Sequence, residues 1–162
     1  MKKKLLIIII VLVLFTITGC KAVDKVVKKK SNVEELLDLY IEAYVKADPE
    51  IAKKIFPPFY VEYAKSILTK DYLEKSLQTD KEEFGDDFTM TYTINKKEKL
   101  SDVEIDKVNG QMESQFNTTD KAEECYSVDG KMTFKGSKKE TSESMEKMRV
   151  CKYNNKWYLL RM

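Results

Sequence analysis

The residues able to do covalent or proton chemistry in this chain are few. None of its 162 residues is histidine, and three are cysteine, at Cys20, Cys125 and Cys151. Without imidazole there is no Ser-His-Asp or Cys-His nucleophile, no His-ligated zinc and no imidazole pH switch. No Gly-rich phosphate loop and no nucleophile elbow is found in the sequence. Cys125 and Cys151 lack the C-x-x-C spacing of a redox or zinc pair. They read first as one disulfide, with free thiols and a redox role as the alternatives. Among the carboxylates, Asp102, Glu104, Asp106 and Glu113 fall where a calcium-binding loop places ligands. Lys107 stands where that loop needs glycine for its sharp turn, and a helix start explains the same residues without metal. Asp80, Glu82, Glu83, Asp86 and Asp87, diluted by Lys81, read as a solvated helix end. No metal and no cofactor is expected.

The remaining chemistry lies in aromatic side chains and one carboxylate. Tyr40, Tyr44, Phe59, Tyr63, Tyr126 and Trp157 either fill a core or line an apolar ligand pocket; core filling is the default. Glu124 shares the apolar parity of its strand and is the one inward carboxylate that can be nominated as a general base, although it equally suits a sheet edge. The candidate pocket is therefore Tyr40, Tyr44, Tyr63, Glu124, Tyr126 and Trp157.

The elements that position these residues follow from periodicity. Ser31-Asn32-Val33-Glu34 has the form of a capping box, and Val33, Leu36, Leu37, Tyr40, Ile41, Tyr44 and Val45 recur at helical steps. Asp48-Pro49 ends that helix and caps a second over Glu50 to Phe56. Pro57-Pro58 breaks the second and opens a third, in which Tyr60, Tyr63, Ala64, Ile67 and Leu68 share a face. A fourth runs from about Lys70 to Phe84, with Gly85 as the stop. From Phe88 to Ile94 the period changes to two, which predicts a strand with one buried face. Ser101-Asp102-Val103-Glu104 is a second capping box, followed by Ile105, Val108, Met112 and Phe116; Gly110 weakens that helix by about 1 kcal/mol relative to alanine. Two long strands, 122–135 and about 142–153, and a last strand 156–162 after an Asn154-Asn155 turn complete the chain.

Strand pairing bears on the cysteines. If the two long strands turn around Lys138, opposed residues have numbers summing to about 276, and Cys125 and Cys151 meet that sum. Both fall on the polar parity, beside Ser127 and Arg149. Asp129-Gly130 is itself a hairpin signal and competes with this pairing. The unbroken alternation through Gly130 favours a bulge there over a turn.

Helices first and an antiparallel sheet afterwards make an α+β fold with the N-terminal helices on one sheet face. The segment ahead of it decides the address. Lys2, Lys3 and Lys4 precede an unbroken apolar run from Leu5 to Phe15, shorter than the roughly 20 residues a membrane span needs. The pattern is a secretory signal. Ile17-Thr18-Gly19-Cys20 resembles the lipobox of bacterial lipoproteins, which implies cleavage before Cys20 and a lipid on its thiol. The organisation is then residues 1–19 as signal peptide, 20–31 as lipidated cysteine and basic tether, and 32–162 as one α+β domain. Removing residues 1–19 leaves 143 and takes three lysines from a chain of net charge +2, leaving about −1, a balance that argues against nucleic acid as a partner. The tether KAVDKVVKKK either is drawn to anionic lipids or is a plain solvated spacer.

The first helix ending in Lys46-Ala47-Asp48-Pro49, the long strands and the closing Asn155-Lys156-Trp157-Tyr158-Leu159 resemble small lipoproteins of the nuclear-transport-factor-2-like group. The resemblance implies a cystatin-like cone, with Ser101 to Phe116 as an insertion that covers or narrows its mouth. Members of the group bind small apolar ligands, act as isomerases or dehydratases, or mediate protein contacts. Fold alone does not choose among these. The expected function is a non-enzymatic, extracytoplasmic binding or protein-interaction module held on the plasma membrane by lipid. The alternative is a cone enzyme using Glu124 and a tyrosine.

Overall fold

The computed structural model describes residues 30–160. The lipobox, Cys20, most of the tether, Arg161 and Met162 lie outside the described residues. Among the described residues five helices and four strands follow in the order α1 (Asn32–Val45), α2 (Pro49–Ile55), α3 (Pro58–Tyr63), α4 (Lys70–Phe84), β1 (Thr89–Lys99), α5 (Asp102–Phe116), β2 (Glu124–Lys135), β3 (Glu140–Tyr153) and β4 (Lys156–Leu160). This is the α+β architecture expected from the periodicity.

Local signals set most boundaries. At the start of α1 the Ser31 amide donates to Glu34 Oε2 at 2.7 Å, and the Glu34 amide donates to Ser31 Oγ at 3.4 Å, so two amides without intrahelical partners are satisfied. Asp48 Oδ1 accepts from the amides of Glu50 (2.8 Å) and Ile51 (3.2 Å) and caps α2, with Pro49 at its first position. Gly85, at φ 116°, stops α4 where a side chain would strain the backbone. The third helix is shorter than the apolar spacing predicts: after Tyr63 the chain turns, Ala64 and Leu68 are buried, and Tyr63 and Ile67 are exposed.

The sheet has the order β1-β2-β3-β4, every neighbouring pair antiparallel. Asn154 and Asn155, at φ 49° and 64°, make the two-residue turn between β3 and β4. β2 runs unbroken through Asp129-Gly130, so no hairpin forms there. The irregularities lie on its neighbours. Between the pairs Val128–Met148 and Gly130–Met145, β3 spends an extra residue, with Lys147 at φ 52° and its amide donating to Asp129 Oδ1 at 2.7 Å. On the other side β1 spends an extra residue at Asn95. Between these two bulges the Thr93 carbonyl comes so close to Gly130 that an added Cβ would stand 2.2 Å from it. Glycine at 130 serves a close backbone approach, not a turn.

Two cores result. α1, α2 and α4 cover one sheet face, where Val33, Leu37, Ile55, Phe88, Val128 and Val150 pack together. Side chains as fully buried as Leu37 and Val128 each contribute about 2 kcal/mol relative to exposure. α5 does not sit across a cone mouth. It packs on the opposite face at one end of the sheet, over Leu100, Tyr153, Leu160 and both cysteines. α3 joins the layers: Phe59 packs on Tyr153 and Phe116, while Tyr60 packs on Phe56. Buried Asn109 of α5 accepts the Ala122 amide at 2.8 Å and fixes α5 to the start of β2.

Candidate functional site

Cys125 and Cys151 are directly opposed across β2 and β3 and form a disulfide closing a loop of 26 residues. The pairing expected from the strand register holds. Their surroundings are a correction: both are at 0% exposure, not on a polar face. Ser127, Lys131 and Lys135 keep that face polar farther along β2, but α5 covers the end that carries Cys125.

The carboxylates suggested for metal are used otherwise. Asp102, Glu104, Asp106 and Glu113 lie on the helix α5, not on a loop. Glu104 Oε2 accepts the Ser101 amide at 2.9 Å, and Glu113 accepts from Lys121 at 2.6 Å. Both carboxyls are held below the ordinary glutamate value by these bonds. Asp87 Oδ1 accepts the Ser137 amide at 2.7 Å and ties the end of α4 to the β2–β3 turn. Among the described residues no group of three or more ligating side chains is spaced for a metal ion, and no helix is long and apolar enough to cross a membrane.

The six candidate pocket residues are spread over three places. Tyr40 and Tyr44 line a cleft of about 130 Å³ among α1, α2 and α4, where the Tyr44 hydroxyl donates to Asp80 Oδ2 at 2.5 Å. Burial, with Asp80 beside it, pushes the Tyr44 phenol well above its usual value. Tyr63 is exposed on α3 and meets the ring of Phe116 edge-on. Glu124, Tyr126 and Trp157 do come together. The rings of Tyr126 and Trp157 are 5.5 Å apart, and the Tyr126 hydroxyl donates to Glu124 Oε1 at 2.9 Å. Lys99 Nζ approaches the same carboxylate oxygen at 3.1 Å. Hydrogen bonds from Lys99 and Tyr126 hold the Glu124 carboxyl below the ordinary glutamate value, the wrong direction for a base working near neutral pH.

Two larger grooves each take one of the six, Tyr40 in the first and Trp157 in the second. One of about 360 Å³ runs between α1 and the sheet, with Leu37, Tyr40, Phe56, Met132, Met145 and Met148 in its lining. One wall is the first part of β3. β4 pairs only with Arg149–Tyr153, so the outer edge of β3 from Glu140 to Met148 has no strand beside it among the described residues. The sequence holds one signal for this place: Met145 and Met148, three apart, share a face that a regular strand gives to alternate residues, which marks the bulge. The second groove, of about 660 Å³, adjoins the first at Phe56, with Asn32, Leu39, Lys54, Val61, Lys156 and Trp157 in its lining. No family model, curated protein or solved structure matches the chain.

Proposed function

We propose that the chain is a lipid-anchored extracytoplasmic module whose folded domain binds a partner and performs no reaction of its own. The observation that carries the binding role is the 360 Å³ groove, where methionine and aromatic side chains lie beside a strand edge without a neighbour. Methionine side chains are flexible and polarizable, so such a surface adapts to an apolar partner. An unpaired edge offers a row of backbone donors and acceptors to an extended segment. The buried disulfide supports an oxidising compartment, and the lipobox-like Ile17-Thr18-Gly19-Cys20 supports the anchor.

Two variants test the two halves. Cys20→Ser moves the protein from the membrane to the soluble fraction and removes the lipid mass; unchanged membrane retention refutes the anchor. A photo-crosslinking residue at Met145 captures a specific partner, while the same residue at exposed Thr89 does not. Equal labelling from both positions refutes the groove.

A further inference from the structure

We infer that the basic, aromatic patch centred on Trp157 is the face that the domain lays on an anionic membrane surface. The inference rests on the lipid-anchor reading and concerns the groove that adjoins the proposed partner groove at Phe56.

Three arrangements carry it. The first is the place where the chain leaves the fold. Asn32, the first residue of α1, lines the same groove as Trp157. From Cys20 to Lys30 there are only eleven residues, a reach of at most about 40 Å. A lipid on Cys20 therefore keeps this end of the domain within that distance of the bilayer, at high local concentration of headgroups.

The second is charge. Lys54 and Lys156 line the groove beside Trp157, and Lys97 Nζ stands 4.3 Å over the ring of Tyr126, which packs on Trp157. None of these three lysines has a carboxylate within ion-pair distance among the described residues, whereas Lys99 and Lys152 are spent on Glu124 and Glu123. Glu35 and Glu62 also line the groove; Glu62 is bonded to Lys65 at 2.6 Å. The uncompensated charge at the patch is positive, which fits an anionic headgroup layer.

The third is the aromatic pair. Trp157 and Tyr158 are half-buried and lie next to Leu39 and Val61, which are also half-buried. Amphipathic rings with an apolar flank and a ring of lysines favour the level of the headgroups.

Trp157 is the single tryptophan of the chain and reports on its own surroundings. The test uses the full lipidated protein in vesicles of phosphatidylcholine alone and of phosphatidylcholine with roughly one-third phosphatidylglycerol. The expected result is blue-shifted Trp157 emission, quenching by brominated lipid and protection from aqueous acrylamide, all only with the anionic lipid and all reversed by salt. The variant Lys54→Glu/Lys97→Glu/Lys156→Glu, changed at exposed positions, should stay on the vesicles through its lipid yet lose the brominated-lipid quenching about tenfold. Co-sedimenting protein whose Trp157 remains open to acrylamide overturns the docking face and leaves the anchor standing. Quenching that is equal in the two vesicle types, or unchanged in the triple variant, overturns it as well. Protein that carries no lipid and does not co-sediment refutes the anchor, and the docking face with it.

Discussion

Replacing both cysteines, Cys125→Ala/Cys151→Ala, removes a covalent link between β2 and β3 and two sulfur atoms from the layer under α5. The two losses differ in kind and can be separated. The link closes 26 residues, and its removal returns to the unfolded chain about 3.5 kcal/mol of loop entropy, less if the unfolded hairpin stays compact. The sulfurs are at 0% exposure among Leu100, Val108, Met112 and Tyr153, and truncating both costs roughly 1–2 kcal/mol of apolar burial. Urea unfolding of three species distinguishes the terms: oxidised protein, the same protein reduced, and the double variant. The reduced protein should fall about 3 kcal/mol below the oxidised one and the double variant roughly 1–2 kcal/mol lower still. The urea dependence should steepen once the unfolded chain is free to expand. A double variant within about 1 kcal/mol of the oxidised protein would refute the reasoning, because both contributions would then be absent.

Three further outcomes follow from single residues. Gly110 lies inside α5 with open space where a Cβ would go, so Gly110→Ala should raise the unfolding free energy by about 1 kcal/mol; a loss on thermal unfolding would contradict the helix placement. Gly130→Ala puts a methyl onto the Thr93 carbonyl and should destabilise by roughly 1–3 kcal/mol; unchanged stability on urea unfolding would contradict the close approach. Glu124 has a carboxyl value lowered in the fold, so its contribution is fully present above about pH 4.5 and disappears as pH falls through the folded value. The stability difference between the protein and Glu124→Gln should therefore vanish in acid. A carboxyl midpoint above 4.5 by carbon NMR would reverse that sign and restore Glu124 as a base.

The helix boundaries were readable because they are written in few residues. Two Ser-x-x-Glu boxes, Asp48-Pro49 and Gly85 each satisfy or forbid a backbone conformation by themselves. The pairing of Cys125 with Cys151 was readable as well, since a strand register is arithmetic. The second core was not. Alternation along β2 describes a face over its whole length, and the Ser127–Lys135 half of the cysteine face is polar. Ile105, Val108 and Met112 showed that α5 needed an apolar floor, but nothing in a two-residue period says which half of a face supplies it. The candidate pocket scattered for the same reason: parity assigns Tyr126 and Trp157 to a face but gives Tyr40 and Tyr63 no distance from them. β1 extends to Lys99 through Lys96-Lys97-Glu98, a charged run whose backbone pairing with β2 leaves no apolar mark.

The depth of the disulfide separates it from the chemistry of the surrounding solution. Once α5 lies over β2 and β3, neither sulfur can be reached by a thiol or an oxidant, because both cysteines are at 0% exposure. The closed second layer shields the bond from exchange. Thiols in solution then meet the outer side of α5 and not the bond between β2 and β3.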